Sequence, residues 1–149
     1  MGFIVSVIVV FLDQLTKSLA LEKLTDGLSI PILKNIFHLT LVKNTGIAFG
    51  LFRGSTIIFV FISFIAVILI LWYWLLKKDE LGAAVKFALF LILGGSIGNF
   101  IDRIHFGYVV DFLDFGINNF RWPAFNIADS AITIGAVLIC IQFFSNSAQ

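Results

Sequence analysis

Hydrophobic residues occur in four long runs along this chain, separated by stretches in which polar residues are frequent. A helix needs about 20 apolar residues to cross a hydrocarbon core of about 30 Å. The pattern therefore predicts four membrane-spanning helices, at residues 2–21, 55–76, 83–104 and 124–144. The second run contains no charge and ends in Trp72-Tyr73-Trp74 followed by two lysines, which is typical of a membrane–water interface.

The two longer connections differ in character. Residues 22–54 contain turn residues at Asp26-Gly27 and then alternate loosely between apolar and polar side chains, which predicts a short sheet or hairpin on the membrane surface. Residues 105–123 contain glycines and paired asparagines and are predicted to form a loop. Four spans place both termini on one side and both connections on the other. The prediction is one mainly α membrane domain, residues 1–149, with a small surface sheet.

Composition supports the membrane assignment. Hydrophobic residues make up 60% of the chain and charged residues 13%, against about 25% charged in a typical soluble domain. The net charge of +1 does not indicate a nucleic-acid partner. The single cysteine, Cys140, excludes an internal disulfide and a cysteine-rich metal site. The distant His38 and His105 do not favour a zinc site, although carboxylates could supply ligands, and we expect no metal and no cofactor.

The polar residues within the predicted helices form clusters that share a helix face: Asp13 with Lys17, Asn99 with Asp102 and Arg103, and Asn126 with Asp129. Each cluster lies where a span meets one of the two longer connections. Charged and amide groups at membrane depth are costly and usually functional. The sequence therefore predicts a polar site at one face of the membrane.

We interpret Asp111 and Asp129 as a catalytic pair at that face. Two nearby carboxyl groups cannot easily both ionise, so their pKa values separate. The charged member can act as a base on water, and the protonated member can hydrogen-bond a carbonyl and later protonate a leaving amine. This chemistry suits peptide hydrolysis without a metal. Ser96 and Ser130 have no histidine at a plausible depth, which disfavours a serine triad.

Two other classes of protein could contain the same buried polar groups. A small channel or transporter could use the same buried polar groups as an ion or proton path. A non-catalytic scaffold could bind a partner helix and would tolerate Asp111→Asn and Asp129→Asn. The gathering of polar residues at one membrane depth, instead of spacing through it, favours the peptidase.

Five short blocks, in order, resemble the bacterial lipoprotein signal peptidases, the type II signal peptidases, which are aspartyl proteases of the cytoplasmic membrane. The blocks are DQLTK at 13–17, NTGIAFG at 44–50, GGSIGNFIDR at 94–103, VVDF at 109–112 and FNIAD at 125–129. Together they extend through the whole four-span chain, and their core positions show no departure from the family's pattern.

The resemblance implies a role for each matching residue. Asp111 and Asp129 would be the catalytic dyad. Asn44 and Gly46 would lie in the surface sheet, or cradle, that holds substrate. The residues expected to line the site and bind substrate or position the dyad are Asn99, Arg103 and Asn126, and those expected to support it are Asp13, Lys17 and Asp102. Asp114 falls outside the VVDF block and is interpreted as a loop carboxylate.

The resemblance also implies the substrate and the setting. The substrate would be a prolipoprotein, cleaved on the N-terminal side of a lipobox cysteine that carries diacylglycerol, in contact with membrane lipid and without nucleic acid. Inhibition by globomycin-type cyclic peptides is implied as well. Counting lysines leaves the orientation ambiguous, but the resemblance places the site on the extracytoplasmic side of the bacterial inner membrane with both termini cytoplasmic. We expect a monomer, with residues 105–123 as a lid loop.

Overall fold

The computed structural model describes residues 2–26, 28–46, 56–118 and 120–147. Within these residues it contains four helices, and all four are long and apolar enough to cross a membrane, which confirms the prediction of four membrane-spanning helices. Their bounds are α1 Gly2–Lys23, α2 Thr56–Lys77, α3 Ala83–Phe106 and α4 Ile127–Ser147. Many large apolar side chains on these helices are exposed in the isolated chain, as lipid-facing residues must be.

A four-stranded antiparallel sheet joins the helices at one end of the bundle. Its strands are β1 Ser29–Leu33, β2 Phe37–Asn44, β3 Val109–Ile117 and β4 Phe120–Arg121, in the spatial order β1-β2-β3-β4. The predicted surface sheet at residues 22–54 is thus one half of a larger sheet. The second half comes from residues 105–123, for which the sequence pattern predicts a loop.

That interpretation of residues 105–123 is wrong in its local structure. The segment begins with the last turn of α3 and then forms β3 and β4, with a turn at Asn118, where φ is 53°. Asp111 and Asp114 therefore lie on a strand, and Asp114 is not a loop carboxylate. The glycines and asparagines that suggested a loop mark only the two ends of β3. Pairing with β2, in which Val42 lies opposite Asp111, fixes the strand between them.

The fourth helix begins at Ile127, later than the predicted position 124. The reason is local pairing with β3. The Phe125 N–H donates to the Leu113 carbonyl at 3.0 Å, and the Leu113 N–H donates back at 2.8 Å. Residues 122–125 are consequently extended along β3, and the helix starts only after them.

Helix α3 packs against each of the other three helices and contains the most buried residues. Its glycines permit this close approach. A Cβ at Gly94 would lie 2.8 Å from Val9 of α1, and a Cβ at Gly98 would lie 2.5 Å from the Asp13 carboxylate. The block GGSIGN is thus explained by packing, because these positions admit α1 and one of its buried carboxylates.

Candidate active site

Asp111 lies near the start of β3 and is held there by two amide side chains. Its Oδ2 accepts a hydrogen bond from Asn44 Nδ2 at 2.8 Å, and its Oδ1 accepts one from Asn126 Nδ2 at 2.7 Å. The Gly46 N–H donates to Asn44 Oδ1 at 3.0 Å, which turns the amide's NH₂ group toward Asp111. Asp111 is 1% exposed, so both carboxyl oxygens are fixed in an almost dry environment.

Asp129 lies in the first turn of α4 and is part of a reciprocal helix cap. The Asp129 N–H donates to Asn126 Oδ1 at 2.9 Å, and the Asn126 N–H donates to Asp129 Oδ2 at 3.4 Å. This arrangement is a capping box, in which side chains three residues apart satisfy each other's backbone N–H groups. The other oxygen, Oδ1, accepts from Asn99 Nδ2 at 2.7 Å. Asn126 and Asp129 are therefore three residues apart because together they cap the N-terminus of α4.

Two asparagines connect the two carboxylates. Asn126 caps the helix of Asp129 and donates through Nδ2 to Asp111. Asn99 donates to Asp129 through Nδ2, and its Oδ1 accepts from Asn126 Nδ2 at 3.2 Å and from Lys17 Nζ at 2.9 Å. Asn126 is fully buried and Asn99 is 5% exposed. The network fixes the relative orientation of Asp111 and Asp129.

Burial raises the pKa of Asp111 to about 7, with the nearby Asp129 charge as the second cause. Hydrogen bonds from Asn44 and Asn126 act in the opposite direction because they stabilise the ionised form. The outcome places the titration of Asp111 near neutral pH, which is where a group that both donates and accepts a proton works best.

Behind this pair lies a buried ion cluster, which we call the anchor: Asp13, Lys17 and Asp102. Lys17 Nζ contacts Asp13 Oδ2 at 2.8 Å and Asp102 Oδ2 at 2.9 Å, in addition to Asn99 Oδ1. The three protons of the ammonium group are thereby matched by three acceptors. All three side chains are at most 2% exposed, so each charge depends on its partners.

The anchor holds the backbone immediately before each member of the carboxylate pair. Asp13 Oδ1 accepts from the Ala128 N–H at 2.9 Å, and Asp102 Oδ2 accepts from the Val110 N–H at 2.9 Å. Ala128 precedes Asp129, and Val110 precedes Asp111. One ion cluster on α1 and α3 thus positions both the start of α4 and the start of β3.

Gln14 belongs to the same cluster, although the sequence analysis gave it no role. Its Nε2 donates to Asp102 Oδ1 at 2.9 Å and to Asp13 Oδ2 at 3.2 Å. The sequence feature that could have identified Gln14 is its position inside the DQLTK block. A polar amide next to Asp13 in an otherwise apolar helix needs a buried partner, but the sequence does not say which one.

A cavity of about 570 Å³ opens in front of the carboxylate pair. The predicted site residues that line it are Asn44, Gly46, Asn99, Arg103, Asp111 and Asp129. Asn126 and the anchor lie behind it. The cavity is also lined by residues that were not among the predicted site residues: Val109, Trp122, Pro123, Ala124, Phe125, Ser130, Thr133 and Ile134. Residues 47–50 of the NTGIAFG block lie outside the described residues.

Arg103 is half-buried at the α2 side of the cavity. Its Nη1 donates to Ser63 Oγ at 3.3 Å and to the Asn99 carbonyl at 3.4 Å, and its guanidinium lies 5.7 Å from the centre of the Phe59 ring. Ser63 and Phe59 belong to α2, whose apolar pattern gave no sign of this contact. The cation is thus held at the cavity by side chains of α2, a helix whose large apolar residues are mostly exposed.

Fold and site together define a multi-pass membrane protein with a paired-carboxylate site at one end of its helices. The sequence model of signal peptidase (SPase) II matches residues 5–145. The lipoprotein signal peptidase of Halothermothrix orenii is 46% identical over 97% of this chain and 95% of its own. That of Desulforapulum autotrophicum is 43% identical, over 96% and 91%.

A solved structure shares the fold of this chain. A bacterial membrane enzyme determined by the in meso method at 2.3 Å resolution superposes with a TM-score of 0.89 and is 34% identical, over 98% of this chain and 88% of that one. The chain belongs to the signal peptidase II family, as its sequence blocks predicted. It is therefore a protease of the membrane.

Proposed function

We propose that this chain is an aspartic endopeptidase that removes signal peptides from prolipoproteins, with Asp111 and Asp129 as its catalytic dyad. The observation that carries the proposal is the pair itself. Asp111 and Asp129 both accept a hydrogen bond from Asn126 and both line the same cavity. The pKa of Asp111 is raised to about 7. The family supports a protease, and the paired carboxylates supply the aspartic chemistry.

In the proposed reaction Asp129 is the base and Asp111 the acid. Asp129 takes a proton from water as the water oxygen bonds to the scissile carbonyl carbon, and Asp111 gives its proton to the carbonyl oxygen. The C–N bond then breaks, the amine nitrogen takes the proton from Asp129, and a hydroxyl proton of the tetrahedral intermediate returns to Asp111. The raised pKa of Asp111 suits it to carry the first proton.

The other polar residues have supporting roles in this proposal. Asn99 and Asn126 position the carboxylates through their amides. Asn44 orients Asp111, and Gly46 lines the cavity beside it. Arg103 provides a cation at the cavity for a substrate carbonyl. The anchor keeps the two backbone segments in register.

The proposed substrate is a diacylglyceryl-modified lipobox peptide, cut on the N-terminal side of its lipidated cysteine. The relatives are named lipoprotein signal peptidases, and the apolar cavity walls beside exposed apolar helices suit a substrate that stays in the bilayer. We further propose a bacterial inner-membrane location, an extracytoplasmic site with both termini cytoplasmic, a monomer in contact with lipid, and inhibition by globomycin-type peptides.

The test is cleavage of a lipidated lipobox peptide by the purified protein in detergent. We expect cleavage just before the lipidated cysteine, and a loss of roughly 1,000-fold or more in kcat for Asp111→Asn and for Asp129→Asn, because the two residues act as a unit. Asp26→Asn is the matched control, since Asp26 is an exposed carboxylate with a lysine partner outside the cavity. Near-normal cleavage by either dyad variant would remove that residue from the mechanism.

A channel or transporter was the alternative, and no observation of the fold, site or relatives favours it. A well-folded wild-type protein that cleaved nothing would return that alternative to consideration. Ion flux through liposomes containing the protein would then decide between the two.

A further inference from the structure

An ion pair on the sheet, outside the cavity, holds β4 against β3. Arg121 Nε donates to Asp114 Oδ1 at 2.9 Å, Nη2 lies 2.9 Å from the same oxygen, and Nη2 donates to the Asp114 backbone carbonyl at 2.6 Å. The two side chains are 24% and 14% exposed. Because the guanidinium donates to both the side chain and the backbone of Asp114, it fixes the position of Arg121 relative to that residue of β3.

The four residues that follow Arg121 form part of the cavity wall. Trp122, Pro123, Ala124 and Phe125, here called the rim segment, line the same cavity as Asp111 and Asp129. The Trp122 N–H donates to the Phe115 carbonyl at 2.8 Å, and Phe125 pairs with Leu113. Pro123 has no N–H to offer between them. The rim segment is thus tied at its ends, and its first tie adjoins Arg121.

β4 is too short to secure that end alone. It has two residues, paired with β3 through Gly116 opposite Arg121 and Ile117 opposite Phe120. Two residue pairs at the edge of the sheet contribute few backbone hydrogen bonds. The ion pair therefore supplies much of the restraint at the point where the rim segment begins.

Asp114 also joins this restraint to the rest of the sheet. Its Oδ2 accepts from Thr40 Oγ1 on β2 at 2.8 Å, and Thr40 Oγ1 lies 2.8 Å from Ser29 Oγ on β1. A continuous series of polar contacts thus crosses all four strands and ends at Arg121. The rim segment is held in place relative to the strand that positions Asn44 and to the strand that carries Asp111.

We propose that Asp114 and Arg121 are positioning residues that hold the rim segment over the dyad and thereby determine how tightly substrate binds. The inference rests on the proposed peptidase function. The rim segment contacts substrate away from the reacting bond, so its displacement weakens binding of the ground state and the transition state alike. Such a change raises KM and leaves kcat nearly unaltered.

The experiment compares Arg121→Gln, Asp114→Asn and the double variant with Asp26→Asn, which breaks the exposed ion pair with Lys43. We expect each single variant to raise KM for the lipidated peptide about 10-fold, as for a charge-assisted hydrogen-bonded pair, with kcat within about twofold. The double variant should cost no more than either single one. Asp26→Asn should leave KM unchanged.

A second readout does not depend on cleavage. Hydrogen exchange at the Trp122 and Phe125 N–H groups should be faster in Arg121→Gln than in wild type, while exchange in α3 stays the same. Unchanged exchange, or a KM equal to the wild-type value, overturns the positioning role. If Arg121→Gln does not fold, Arg121→Lys replaces it, because lysine keeps the charge but lacks the guanidinium fork that reaches both Asp114 Oδ1 and the Asp114 backbone carbonyl. A wild-type protein that fails to cleave the peptide refutes the proposed function. Hydrogen exchange still tests whether Asp114 and Arg121 hold the rim segment, because that measurement does not require cleavage.

Discussion

Replacing Asp111 by asparagine should change the pH dependence of stability in a direction set by the burial of that carboxyl group. In the folded protein the pKa of Asp111 is raised from 3.8 to about 7. Between these values the folded state binds more protons than the unfolded state, so stability falls as pH rises. The full cost of ionising the buried group is present above about pH 7 and absent below about pH 4.

The magnitude follows from the size of the shift. About three pKa units at about 1.4 kcal/mol each give up to about 4 kcal/mol of stability lost between pH 4 and pH 8. Asparagine carries no titrating proton, so Asp111→Asn does not incur this loss. Its amide must, however, place an NH₂ group against an NH₂ donor, because both Asn44 and Asn126 donate to Asp111. That mismatch costs about 1–3 kcal/mol at every pH.

The quantity to measure is therefore the difference in stability between variant and wild type as a function of pH. Both proteins are unfolded in one detergent from pH 4.5 to pH 8. Over this range the unfolding free energy of the variant should rise relative to that of the wild type by several kcal/mol. Asp26→Asn, at an exposed carboxylate, should follow the wild type throughout. A constant difference between Asp111→Asn and wild type across this range would refute the argument that Asp111 is a buried group ionised at a cost.

Two further variants test the packing behind the site. Gly98→Ala should lower the thermal unfolding temperature and activity together, because its Cβ would lie 2.5 Å from Asp13 Oδ2. Gly82→Ala is the control, since a Cβ there has no described heavy atom within contact distance. Wild-type stability in Gly98→Ala would contradict the packing argument. Lys17→Met should destabilise the protein by about 3–5 kcal/mol, because it leaves the carboxylates of Asp13 and Asp102 buried without their ammonium partner. Unfolding in detergent measures this loss. An unchanged stability would mean that Lys17 and the two carboxyl groups are not charged in the folded protein.

Much of the architecture could be predicted because a bilayer imposes a simple requirement on sequence. Each spanning helix needs about 20 apolar residues, and the four runs satisfy it. The pairing of Asp13 with Lys17 followed from helical spacing, and the structure confirms it at 2.8 Å. The family was also predictable, because five ordered blocks carry more information than any one motif.

The structure of residues 105–123 was not predictable from local pattern. The glycines and asparagines near its ends indicate turns, but β3 forms because β2, from a distant part of the chain, pairs with it. The late start of α4 has the same cause, since Phe125 pairs with Leu113. Long-range contacts such as that of Gln14 with Asp102 leave no periodic trace in the sequence, and neither does the contact of Ser63 with Arg103.

The arrangement separates two uses of buried carboxylates that a sequence alone does not distinguish. Asp13 and Asp102 share one ammonium group and accept backbone N–H groups, so their negative charges are partly balanced and their loss removes restraints. Among the residues that the structure describes, the side chains that donate to Asp111 are neutral amides, so its charge is tolerated at a cost. Substitution in the anchor should therefore lower stability and activity together. Substitution of Asp111 should abolish activity while relieving the cost of its charge, and only a residue held for chemistry gives that combination.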